Sequence, residues 1–234
     1  MEKIKEEVPE KLRIAVLLSF ISGYINAFTY NNAGELFAGV QTGNVIFMAL
    51  HFAKGNLEKA VEFLIPIISF MIGQIFIYCF RNFFQRRGHK GYIHSSLLML
   101  FIMVMLIVLL PFFDYHFIVV TLAFFAAIQS DTFQRLRGFS YATIMMTGNV
   151  KNAPRLLIEG LVQRDRELLV RGFLLFLIIF SFMLGVGIST YFTQFVKKSA
   201  LVPLILPLSY INYVLFKEEH NVIDVVKSKI RKIK

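Results

Sequence analysis

Thr42-Gly43-Asn44-Val45 recurs as Thr147-Gly148-Asn149-Val150, 147 − 42 = 105 residues further on, and each copy interrupts a stretch that is otherwise largely hydrocarbon. In lipid every backbone N–H and C=O needs a partner, so a polar interruption is tolerated only where protein covers it or where it lines a watery cavity. Two matched interruptions predict one shared cavity. Glycine in each predicts a left-handed backbone there, with Thr or Asn capping the helix that follows.

The rest of the chain sets the solvent. Of its 234 residues 56% are hydrophobic and 17% charged, and the apolar residues fall in long runs, as in a polytopic membrane protein. With 26 Phe and no Trp, Phe and Tyr supply any interfacial aromatic belt. The net charge of +10 comes from basic residues that flank apolar runs, which favours cytoplasmic loop charge over a nucleic-acid surface. One cysteine, Cys79, excludes an intrachain disulfide and a thiolate cluster. The five histidines lack ligand spacing and read as interface residues, so neither metal nor cofactor is expected. No phosphate loop, nucleophile elbow or zinc-helix motif is present. The start, residues 1–13, mixes Lys with four Glu and carries no small-residue cleavage site, so the first helix is expected to be retained.

Spans are expected over 12–30, 61–80, 95–111, 117–134, 172–192 and 201–216. Residues 33–53 are expected to form two short helices around Thr42-Gly43-Asn44, and 140–160 is too polar beyond its own interruption to face lipid. A single membrane domain results, with repeat 1 over about 12–111, repeat 2 over about 116–216 and a basic tail, 217–234. The tail places Val222, Val226, Ile230 and Ile233 on one helical face among lysines, suited either to anionic lipid or to water.

The duplication extends beyond the polar motif. At the same offset Asn26-Ala27-Phe28 faces Asp131-Thr132-Phe133, and Ser69-Phe70-Met71-Ile72-Gly73 recurs as Ser181-Phe182-Met183-Leu184-Gly185, offset 112. Charge placement then sets the topology. If the interrupted segments re-enter, only Lys54, Lys59, Lys197 and Lys198 fall outside, leaving 25 − 4 = 21 basic residues inside. Full crossing would move both termini and the basic tail outside. The expectation is therefore an all-α protein of six spans plus two re-entrant segments, its halves inverted, with cytoplasmic termini.

Gly23, Asn26 and Ala27 at the end of the first helix, Thr42-Gly43-Asn44, and Gln129-x-Asp131 before Thr147-Gly148 together resemble the YoaK-like, DUF1275 family of bacterial membrane proteins. The resemblance runs from Leu12 to Phe216 and implies a six-span inner-membrane protein without an established activity. One departure stands out: the acid usual in the first half is Asn26 here, and Asp131 stands where an amide is more usual.

The site expected from these residues is a substrate site near the midplane built from Asn26, Thr42, Gly43, Asn44, Gln129, Asp131, Thr147, Gly148, Asn149 and Lys151, serving a small-solute transporter or channel. Asp131 is the one carboxylate inside a clear span and so either carries function or pairs with Arg135 or Arg137. Two helix starts aimed at one cavity favour an anion or a neutral polar solute; Lys151 adds to that bias, and Asp131 opposes it unless protonated. A membrane-embedded enzyme using Asp131 as acid and base, or a scaffold subunit, stays open as the alternative. The expected partners are the bilayer and the solute, and a homo-oligomer is compatible with both.

Overall fold

The structure is a computed structural model and describes residues 8–217, so the amphipathic reading of 218–234 lies outside the described residues. Helices α1 (Leu12–Asn32), α2 (Gln41–Ala53), α3 (Leu57–Arg86), α4 (Gly91–Leu109) and α5 (Tyr115–Thr132) lead to a two-residue hairpin, β1 (Arg135–Leu136) with β2 (Phe139–Ser140). Then come α6 (Met146–Gln163), α7 (Arg166–Val196), a 3-10 segment Lys197–Leu204 and a last helix α8 over 205–217. Among the described residues four stretches are long and apolar enough to cross a membrane: α1, α3, α4 and the run 166–217.

Local chemistry fixes the boundaries. α1 ends where Gly34 and Glu35 turn left-handed, and Asn56, Asp114 and Asp165 open α3, α5 and α7 by accepting from first-turn N–H groups. Arg137 and Gly138, both at positive φ, make the hairpin turn. Lys197 at φ 48° stops α7, so the 52-residue apolar run bends and comes back as α8. Contacts at each end give the helix directions. Arg81 at the end of α3 meets Asp131 at the end of α5, while Lys198 beyond α7 donates to the Phe113 carbonyl just before α5, at the other end of the bundle. Asn212 of α8 donates to the Ser96 carbonyl near the start of α4, so α8 has returned to the first end.

The helices expected at 61–80 and 172–192 extend further, through Arg86 and from Arg166, because their polar outer turns stay helical. Two expectations need correction. Of 33–53 only 41–53 is helical; 33–40 is a turn, a bend and irregular chain. Thr42-Gly43-Asn44 and Thr147-Gly148-Asn149 do not break helices but lie in the first turns of α2 and α6, and neither Gly43 nor Gly148 has a positive φ. At 13 residues α2 is about 20 Å long, too short for a hydrocarbon layer of about 30 Å.

The core centres on α1 and α5. In α1 72% of the apolar window is buried, against 28% in α3 and in α4 and 33% in the run 166–217, whose outer faces carry bare Ile, Phe, Met and Val. Each long helix packs on the opening helix of the other half. Ser69 Oγ of α3 donates to Val120 O of α5 (2.7 Å), and Ser181 Oγ of α7 donates to Val16 O of α1 (2.7 Å). Beside these bonds Gly73 lies against Phe124 and Ala127, and Gly185 against Phe20 and Tyr24, so close that a Cβ would strike the neighbour.

Candidate functional site

The chain enters α2 and α6 through the same clamp. Asn44 Oδ1 accepts from Phe37 N (3.0 Å) and its Nδ2 donates to Phe37 O (2.8 Å); Asn149 Oδ1 accepts from Ala142 N (3.1 Å) and its Nδ2 donates to Ala142 O (2.7 Å). Third partners also correspond: Nδ2 of Asn44 reaches Gln41 Oε1 (2.9 Å) and that of Asn149 reaches Met146 Sδ (3.5 Å). Every pair of equivalent positions is 105 residues apart. Only a carboxamide offers a donor and an acceptor side by side at this length, so it satisfies both polar groups of one peptide residue as a neighbouring strand would. Both asparagines are buried, which makes the exchange obligatory. Helix caps by Thr or Asn are absent here; Val40 and Met145 occupy the cap positions without side-chain bonds.

Asn26 fixes the chain just ahead of α2. Its Oδ1 accepts from Gly39 N (2.8 Å) and Val40 N (3.2 Å), and its Nδ2 donates to Ser22 O (2.7 Å). Gln129 of α5 joins the same cluster, donating to Leu18 O (3.0 Å) and Ser22 Oγ (2.7 Å), while its Oε1 is buried without a partner among the described residues. Asn26 and Gln129, both expected site residues, thus meet through Ser22. The two chains that lead into α2 and α6 also meet. Gly39 faces Ile144, its equivalent at offset 105, so closely that a Cβ on Gly39 would collide with Ile144 Cγ2, with Ala126 and Asn26 next nearest. Ile144 is 1% exposed.

Two hollows border this contact. One, about 350 Å³, opens among α1, α2 and α7 and is lined by Asn26, Tyr30, Asn31, Phe37, Phe182 and Thr190. The other, about 240 Å³, lies at the hairpin end among Ser130, Gln134, Ser140, Tyr141, Thr143 and Met145. Ile144 lines the second, and Gly39 is the neighbour of Val40, which lines the first. Among the described residues neither hollow has a charged side chain in its lining, and the buried hydroxyls of Tyr141 and Thr143 lack partners.

The remaining expected residues lie elsewhere. Asp131 pairs neither with Arg135 nor with Arg137 through its carboxylate: Arg81 Nη1 reaches its Oδ2 (2.6 Å) and its carbonyl (2.8 Å). This pair borders a third hollow, about 180 Å³, with Glu10, Tyr92 and Arg135. Thr42, Thr147 and Gly148 are exposed on the first turns of α2 and α6, Lys151 is exposed on the second turn of α6, and Gly43 lies against the Phe37 ring. Sequence reasoning missed Gly39, Ile144 and Glu10. Gly39 and Ile144 share an offset but no similarity of type, and the buried Glu10, which accepts from Gly138 N (2.7 Å), carries no motif. Among the described residues no three His, Cys, Asp or Glu side chains are placed to share a metal ion.

Residues 14–213 match the model of a family described as protein of unknown function (DUF1275). Neither the curated proteins nor the solved structures contain a match.

Proposed function

The chain belongs to the DUF1275 family, and from that premise we propose a multi-pass membrane protein that passes small uncharged polar solutes between its two halves. It crosses six times, as α1, α3, α4, α5, α7 and the returning run through α8, and α2 and α6 re-enter from opposite faces as members of an inverted repeat. Both termini face the cytoplasm, where 21 of the 25 basic residues then fall, as the positive-inside bias requires.

The observation that carries the proposal is the pair of hollows on either side of Gly39 and Ile144, at opposite ends of the bundle and each bordered by the chain entering a short helix. Short helices that start inside a membrane fold are tolerated where they are covered or line a cavity, and sites at such starts recur in transporters built from inverted repeats. Charge decides the solute class. The uncharged linings give no counter-ion for a cation or an anion, and Asp131, next to Ser130 of the second lining, is already paired with Arg81. The anion bias expected from the α2 terminus is weakened further, because the N–H groups of Gln41, Gly43 and Asn44 bond to Gly39 and Val40 carbonyls.

Stopped-flow swelling of liposomes holding the purified protein tests this. Glycerol or urea should enter faster than into empty liposomes, with sodium, potassium and chloride unmoved. Equal rates for every neutral solute, or selective ion flux, would reject it.

A further inference from the structure

The two halves differ where they meet. In the first half Asn26 accepts from both Gly39 N and Val40 N, tying that chain to the middle of α1. The residue at Asn26's offset in the second half is Asp131, and Arg81 draws it away; the equivalent N–H groups, on Ile144 and Met145, have no acceptor among the described residues. The side chains differ as well, hydrogen at Gly39 and sec-butyl at Ile144, so one jaw is bare and tethered while the other is bulky and untethered. Above and below lie hollows of about 350 and 240 Å³, both far larger than the roughly 30 Å³ share of one water in the liquid.

We propose that Ile144 is the movable jaw of a hydrophobic gate whose fixed jaw is Gly39, and that side-chain volume at 144 sets the largest neutral solute that passes. The inference rests on the transport proposed above. A buried isoleucine across a narrow path blocks it both by bulk and by excluding water, the way apolar constrictions close pores. Displacing it breaks no hydrogen bond from the N–H of Ile144 or Met145 to a described residue, whereas displacing Gly39 and Val40 would break two bonds to Asn26. The Asn149 clamp on Ala142, two residues before Ile144, marks where the movement would stop.

The experiment compares glycerol and mannitol swelling in liposomes for the parent chain, Ile144→Ala, Gly39→Ala and the double variant. Ile144→Ala should raise glycerol entry about tenfold, equal to ~1.4 kcal/mol off the barrier, and admit mannitol. Gly39→Ala should lower entry, because its Cβ meets Cγ2 of Ile144, and the double variant should recover it. A paired Gly39→Cys and Ile144→Cys variant in a Cys79→Ser background adds a check free of packing defects: oxidation should stop entry and reduction should restore it. If the parent passes glycerol but entry ignores both the Ile144 substitution and the oxidation state, the gate is wrong and transport stands. If no variant, Ile144→Ala included, passes any solute while each runs as a monodisperse species, both are wrong.

Discussion

Arg81 holds Asp131 twice, through the carboxylate at 2.6 Å and through the carbonyl at 2.8 Å, and so ties the end of α3 to the end of α5. Both side chains are partly buried, 28% and 21% exposed, which places the pair between a surface bridge and a fully desolvated one. Asp131→Asn should leave insertion intact but cost about 1–3 kcal/mol, since an unpaired guanidinium stays behind. Arg81→Gln should cost a similar amount, and the double variant less than the sum of the two. Thermal unfolding in detergent measures all three, and additive losses would mean the two groups do not interact.

The asparagine clamps predict equal damage in both halves. Asn44→Ala and Asn149→Ala each strand the partly buried N–H and C=O of one residue, about 1 kcal/mol per lost bond. Asn→Asp should not rescue either site, because a carboxylate replaces the donor with a second acceptor facing a carbonyl. Melting temperatures of the four variants decide; a benign Asp at either position would show that the donated bond contributes little.

Gly185 and Gly187 lie two residues apart on α7 and face different surroundings. A Cβ on Gly185 strikes the Phe20 carbonyl of α1, whereas one on Gly187 meets nothing within 4 Å. Gly185→Ala should therefore force α1 and α7 apart, costing about 1–3 kcal/mol or more, while Gly187→Ala should be neutral or slightly stabilising through helix propensity. Comparable melting temperatures for the two would refute the close-packed contact.

Topology is testable with an impermeant thiol reagent. In a Cys79→Ser background, Lys54→Cys between α2 and α3 should label only from the periplasmic or outer side, and His89→Cys between α3 and α4 only from the cytoplasm. Both positions are exposed, so reactivity reports side rather than burial. Labelling of both from one side would end the six-span arrangement.

The four stretches long and apolar enough to cross a membrane were legible because lipid admits so few alternatives for such sequences. Asn44 and Asn149 were legible as a pair through their identical neighbours, but not their action: a side chain that reaches back seven residues to a backbone group leaves no trace in spacing. Asp131 was visible as a costly charge, yet its partner lies 50 residues earlier, on a helix whose polar end resembled a loop. Gly39 and Ile144 were hidden for the opposite reason. Their importance comes from being dissimilar residues at equivalent places, and a repeat is found by similarity.

The swapped packing of the halves imposes a waiting time during synthesis. Ser181 and Val16 are bonded across 165 residues, so α1 leaves the ribosome long before α7 exists to cover it. At 5–20 residues per second that interval is roughly 10 to 30 s. Throughout it, Ser19, Ser22 and Asn26 belong to a helix without its main neighbour. A nascent chain halted before residue 166 should thus be held by an insertase or chaperone and be open to protease, and release of α7 should be the step that makes the molecule resistant.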